Sequence, residues 1–88
     1  MGQVAVLFRL MPQGVDTNLE EMARGVRSSL PAGVTVRGMQ VKDIAYGLKA
    51  LLVSVVMNDQ GGILEAVEQE LAKVPHVESV EVMEEGLL

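Results

Sequence analysis

The hydrophobic period of the chain switches back and forth between two and 3.6 residues, and each switch marks an element. Over residues 4–11 nearly every position is apolar and branched side chains dominate, which predicts a strand buried on at least one face. Pro12-Gln13-Gly14 ends it as a turn. Thr17-Asn18-Leu19-Glu20-Glu21 then opens a helix, with a capping box available to Thr17 and Glu20 or to Asn18 and Glu21. Leu19, Met22, Ala23, Val26 and Leu30 recur at helical spacing as one apolar stripe, and Pro31 and Gly33 stop it. Gly25 inside this helix costs about 1 kcal/mol relative to Ala, so its place there implies close approach by a neighbour.

Residues 34–44 read as a second strand. Val34, Val36, Gly38 and Gln40 point one way, and Thr35, Arg37, Met39 and Val41 the other. The alternation is imperfect, as in an edge strand with a bulge at Gly38. Tyr46-Gly47 makes a short connection to residues 48–57, a strand apolar on both faces and so expected to be central. After the loop Asn58-Asp59-Gln60-Gly61-Gly62, the stripe Ile63, Leu64, Val67, Leu71 and Val74 predicts a second amphipathic helix, which Pro75 closes. Residues 77–83 form the last predicted strand, with Val80 and Val82 alternating against Ser79, Glu81 and Met83.

The order β-α-β-β-α-β contains an internal echo. Leu30-Pro31-Ala32-Gly33-Val34 and Val74-Pro75-His76-Val77 each carry a helix through an apolar-Pro step into a strand. Two such halves define a ferredoxin-like α+β sandwich. Right-handed crossovers put both helices on one face of a four-stranded antiparallel sheet in the order 4-1-3-2. In the first strand Val4, Val6, Phe8 and Leu10 would face the helices, and Gln3, Ala5, Leu7 and Arg9 the open side. That side is expected to expose some apolar surface, as an ordinary sheet surface or as a protein contact.

Composition narrows the functions open to this fold. The 88 residues, with 49% hydrophobic and 22% charged positions, make one small globular domain spanning 1–88. Phe8 and Tyr46 are the only aromatic residues, and the net charge is -5. Neither suits a protein that stacks bases or tracks phosphates, so no direct nucleic-acid contact is expected. Without cysteine there is no thiolate nucleophile, disulfide or zinc knuckle. His76 is the only histidine and follows Pro75 in a loop, where it reads as a solvated side chain. The acidic run Glu78, Glu81, Glu84 and Glu85 reads as a solubilising edge, because strand spacing splits it between two faces. The amides before the second helix could hold an anion, but a plain turn explains them as well. No enzyme, cofactor or metal is expected. No apolar run is long enough to cross a bilayer and the first residues lack a signal-peptide pattern, so a soluble cytoplasmic protein is the expectation.

One segment stands apart. Ile44-Ala45-Tyr46-Gly47-Leu48-Lys49 sets the only Tyr beside a Gly at a strand-to-strand corner, either packed over the sheet end or displayed as an interface anchor. Together with the stretch Val6-Leu7-Phe8-Arg9-Leu10-Met11-Pro12, Thr17-Asn18-Leu19-Glu20-Glu21-Met22 and Val77-Glu78-Ser79-Val80-Glu81-Val82, it resembles the archaeal translation elongation factor 1-beta family and the C-terminal exchange domain of its eukaryotic counterpart. The resemblance covers nearly the whole chain. It implies the same split β-α-β fold and a nucleotide exchange factor that binds the GTPase elongation factor 1-alpha. It also implies two contact elements: the corner aromatic, here Tyr46 with Gly47, and a basic side chain near the C-terminus that reaches toward a magnesium site. The second falls on Leu87, and Glu84-Glu85-Gly86-Leu87-Leu88 contains no Lys or Arg. Leucine cannot replace an ammonium that competes with magnesium. Either exchange runs mainly through the Tyr46 corner, or the activity is altered. The implied partner-binding set is Ile44 to Lys49 with Gly86, Leu87 and Leu88, in a monomer or weak homo-oligomer without membrane contact. The alternative is a ferredoxin-like module that binds a small ligand, or a second copy, across its open sheet.

Overall fold

A computed structural model describes residues 2–88. Its elements run β1 (Gln3–Pro12), α1 (Leu19–Ser29), β2 (Thr35–Ala45), β3 (Leu48–Asn58), α2 (Ile63–Ala72) and β4 (Val77–Leu87). The four strands form one sheet in the order β2-β3-β1-β4, antiparallel at every junction. This is the 4-1-3-2 order expected of a ferredoxin-like α+β fold, with the two most apolar strands in the centre.

One face of the sheet makes the core. Val6, Phe8 and Leu10 of β1 and Val53, Val55 and Met57 of β3 are buried against Met22 and Val26 of α1 and Val67 and Leu71 of α2. Both helices therefore cover the same face, and among the described residues no polar or charged one is buried with them. Asn18 caps α1, its side-chain oxygen accepting from the Glu20 and Glu21 amides at 3.0 and 3.1 Å. Gly25 has the cause its position implied. A Cβ there would stand 2.8 Å from Val74 Cγ1, so the first helix and the segment after the second meet through a missing methyl.

Two bulges correct the sequence reading. Between Val36 and Gly38 the pairing of β2 with β3 slips by one residue. The extra residue changes the phase of the strand. Met39 thus packs toward the helices like Val36, opposite Val53, while Gly38 and Gln40 turn to the open side, opposite Ser54 and Leu52. The expected alternation put Met39 and Val36 on different faces. A second slip, between Leu7 and Phe8 of β1, makes Met83 the extra residue of β4. Beyond it β4 continues to Leu87, four residues past the predicted end, with Leu7 opposite Glu84 and Val4 opposite Leu87. The acidic residues there hid a strand because solvent-facing charge does not prevent backbone pairing.

The uncovered face is a regular array. Three rows cross all four strands: Thr35, Val56, Ala5 and Gly86; Gly38, Ser54, Leu7 and Glu84; Gln40, Leu52, Arg9 and Glu81. Arg9 and Glu81 form an ion pair across β1 and β4. Leu7 is a ridge between two shallow recesses, one over Ala5, Glu84 and Gly86, the other over Gly38, Gln40 and Ser54.

Candidate functional site

The register explains why the segment around Tyr46 is displayed. β1 pairs with β3 only as far as Leu10 and Leu51. The β2–β3 hairpin continues past that point, so its end projects from the sheet. A third slip, between Asp43 and Ala45, makes Ile44 an extra residue, and Ala45 then closes on Leu48. Tyr46 and Gly47 are the whole turn, at φ 53 and 81. Two positive φ values make it a type I′ turn, the connection whose twist matches its flanking strands. Gly47 takes the left-handed region freely, whereas for Tyr46 it costs about 1–2 kcal/mol. The result is an aromatic ring held on a short, stiff turn, with Tyr46 fully exposed at 101%. Ile44 beside it is 38% exposed, Ala45, Gly47 and Lys49 are exposed, and Leu48 is half-buried. Of the two readings of Tyr46, packed or displayed, the structure has the displayed one.

Gly86, Leu87 and Leu88 lie at the other end of the molecule. β4 runs antiparallel to β1, so Val77 stands by Pro12, near the hairpin side, and Leu87 by Val4. The Leu88 amide donates to the Gln3 carbonyl at 2.8 Å, which ties the last residue to the sheet. Leu87 and Leu88 are 73% and 67% exposed. Counting residues along the strands separates the two sets by roughly 30 Å. The long dimension of the molecule is 42 Å. The structure therefore does not bring the corner and the terminus together.

His76 departs from an ordinary loop residue in its backbone, at φ 75, with its carbonyl accepting from the Gln13 amide at 3.0 Å. Its Nε2 lies 4.0 Å from Glu21 Oε2, and both side chains are about half exposed. Only the turn geometry was hidden in the sequence, since Pro75-His76 gives no Gly or Asn to signal it. No group of three or more His, Asp or Glu side chains among the described residues could hold a metal ion. Nor is any helix among them long and apolar enough to cross a membrane.

The fold and the displayed hairpin together define a small ferredoxin-like βαββαβ domain, whose distinctive surface is a protruding aromatic corner. Comparison with known proteins narrows that class. Residues 5–87 match the EF-1 guanine nucleotide exchange domain, and the chain belongs to this family. It is 43% identical over 86 residues to elongation factor 1-beta of Methanococcoides burtonii, covering 98% of this chain and 97% of that one. To elongation factor 1-beta of Halorubrum lacusprofundi it is 42% identical over 88 residues, with both chains fully covered. Among solved structures, the C-terminal domain of the MgtC protein from Mycobacterium tuberculosis superposes with a TM-score of 0.54 at 19% identity, covering all of this chain and 88% of that one. BlrP1 BLUF gives 0.58 at 16% identity, covering all of this chain and 56% of that one. At such identities these two share the fold alone.

Proposed function

We propose that this chain promotes exchange of GDP for GTP on the GTPase elongation factor 1-alpha, by protein contact and with no catalytic group or cofactor of its own. The observation that carries this reading is the fully exposed Tyr46 on a stiff two-residue turn, in a chain of the exchange-domain family. Exchange needs no acid or base. A factor that binds the nucleotide-free GTPase more tightly than the GDP form weakens GDP binding by the same factor. A hundredfold acceleration arising this way corresponds to about 2.7 kcal/mol of differential binding. Such energy must come from a surface that keeps its shape, because ordering a loose loop would consume it. The I′ turn supplies that rigidity, and the Tyr46 ring supplies contact area with a polar tip.

Gly86, Leu87 and Leu88 are the second contact in this reading. Their position opposite the hairpin means that one GTPase touching both sets lies along the sheet. Leu87 is apolar, so its contribution is burial and not competition with a magnesium ion. The work supports delivery of aminoacyl-tRNA in the cytoplasm, without direct contact to nucleic acid.

The test is a chase experiment. Elongation factor 1-alpha from the same organism is loaded with a fluorescent GDP analogue and mixed with excess GTP at several magnesium concentrations. Faster release in the presence of this chain is the expected result. Unchanged release, with the chain shown to be folded, overturns the reading.

A further inference from the structure

We infer that the open face of the sheet is a docking surface for a second copy of this chain, related by a two-fold axis that runs along the strands between β1 and β3. That rotation lays β1 on β3 of the other copy and β2 on its β4. Each cross-strand row then meets its own reverse. In the middle row the Leu7 ridge settles over Ser54 of the second copy, and Glu84 settles over Gly38. In the row before it Val56 meets Ala5. In these two rows large side chains land on small ones, and the recesses on either side of Leu7 are the holes that receive them.

Charge selects the same axis. The β4 column carries Glu81 and Glu84, while the β2 column carries Gln40 and Lys42 and no carboxylate. An axis across the strands would set β4 on β4 and stack glutamates, which is repulsive. The axis along the strands sets Gln40 over Glu81 and Leu52 over the methylene stem of Arg9. Gln40 of the second copy also brings an amide beside the Arg9–Glu81 pair, whose Arg9 Nε is buried with no hydrogen-bond partner within the described residues.

Stacked sheets pack at about −30°, so the central rows keep this alignment best. The face measures about 19 by 20 Å from strand spacing and rise, so two such faces cover about 760 Å² in total, the size of a weak, transient contact. The association is therefore weak and concentration-dependent. Tyr46 and Leu87–Leu88 lie outside the three rows. The inference does not depend on the exchange reading.

Sedimentation equilibrium of the full chain, from low micromolar to near millimolar, tests it. A monomer–dimer equilibrium is expected. Ser54→Arg fills the hole and abolishes the dimer, with circular dichroism reporting the retained fold. Gln40 is exposed on an edge strand, so its variants fold and test the orientation. Gln40→Lys, facing Glu81 twice per dimer, tightens association roughly two- to tenfold, and Gln40→Glu weakens it. A monomer at every concentration, a dimer indifferent to Ser54→Arg, or Gln40→Lys and Gln40→Glu acting alike would overturn the inference.

Discussion

Phe8 and Tyr46 are the only aromatic residues of this chain, and the structure uses them in opposite ways. Phe8 sits mid-strand on β1 with no exposed surface, under both helices. Tyr46 stands at the end of the β2–β3 hairpin with its whole surface in water. Burial of an aromatic ring stabilises a small fold substantially, so an undemanding sequence would bury both. Keeping one outside, in a left-handed conformation that disfavours it, sacrifices stability at a single position. The sheet centre is thus organised by folding, and the hairpin end displays a ring that folding does not use.

The largest expected effect breaks the first half of that comparison. Phe8→Ala removes a fully buried ring and should cost about 3–5 kcal/mol. A domain of this size has only about 4–13 kcal/mol in total, so a urea titration should show a population near the edge of folding. Exchange per folded molecule should be unchanged, since Phe8 touches no surface. An effect on exchange beyond the loss of folded protein would show that core and hairpin are coupled. Gly25→Ala comes next. Its new methyl gains about 1 kcal/mol of helix propensity. It also meets Val74 Cγ1 at 2.8 Å, and a branched side chain in a packed core yields poorly, at a cost of about 1–3 kcal/mol. A net loss near 1 kcal/mol is expected in the same titration, and a gain would mean that the helix packing is looser than the contact distance implies.

The residues that define the sheet centre were legible because burial writes itself into periodicity. Val4, Val6, Phe8 and Leu10 alternate, and all four are buried. The same periodicity failed where a single extra residue enters a strand. Gly38 hinted at a bulge, yet only the pairing shows that the slip carries Met39 to the helix side. Met83 gave no hint, because its neighbours Glu84 and Glu85 look like a solvated tail. The site was legible as a segment and not as geometry. Composition could not say whether Tyr46 was packed or displayed, since both are common fates of a corner tyrosine. Nor could spacing show that Gly86, Leu87 and Leu88 lie opposite the hairpin, because that follows from which strand β4 joins and in which direction.

Tyr46→Ala addresses the second half of the comparison. The ring makes no buried contact within the chain, so stability should stay within about 0.5 kcal/mol. Exchange on elongation factor 1-alpha should fall at least about fivefold, the loss of roughly 1 kcal/mol from a displayed anchor. The pair of measurements matters more than either alone. A variant that keeps both its fold and its exchange rate would remove the hairpin from the function and leave its exposed ring without a role.

The smallest effect is expected at the far end of the sheet, from Leu87→Lys. Leu87 is paired through its backbone opposite Val4, and its side chain is largely exposed, so a lysine fits without repacking anything. It also adds a cation to a strand that carries Glu81, Glu84 and Glu85, and stability should change by no more than about 0.5 kcal/mol. If exchange depends chiefly on the Tyr46 corner, the variant should exchange nucleotide at least as fast as the parent, measured in the same chase at low and high magnesium. A rise that fades as magnesium increases would show that the terminus lies close enough to the metal for an added charge to compete with it. A clear loss would mean the opposite. The apolar Leu87–Leu88 end would then itself be buried by the partner, and the two ends of the sheet would share the work that Tyr46 is here expected to dominate.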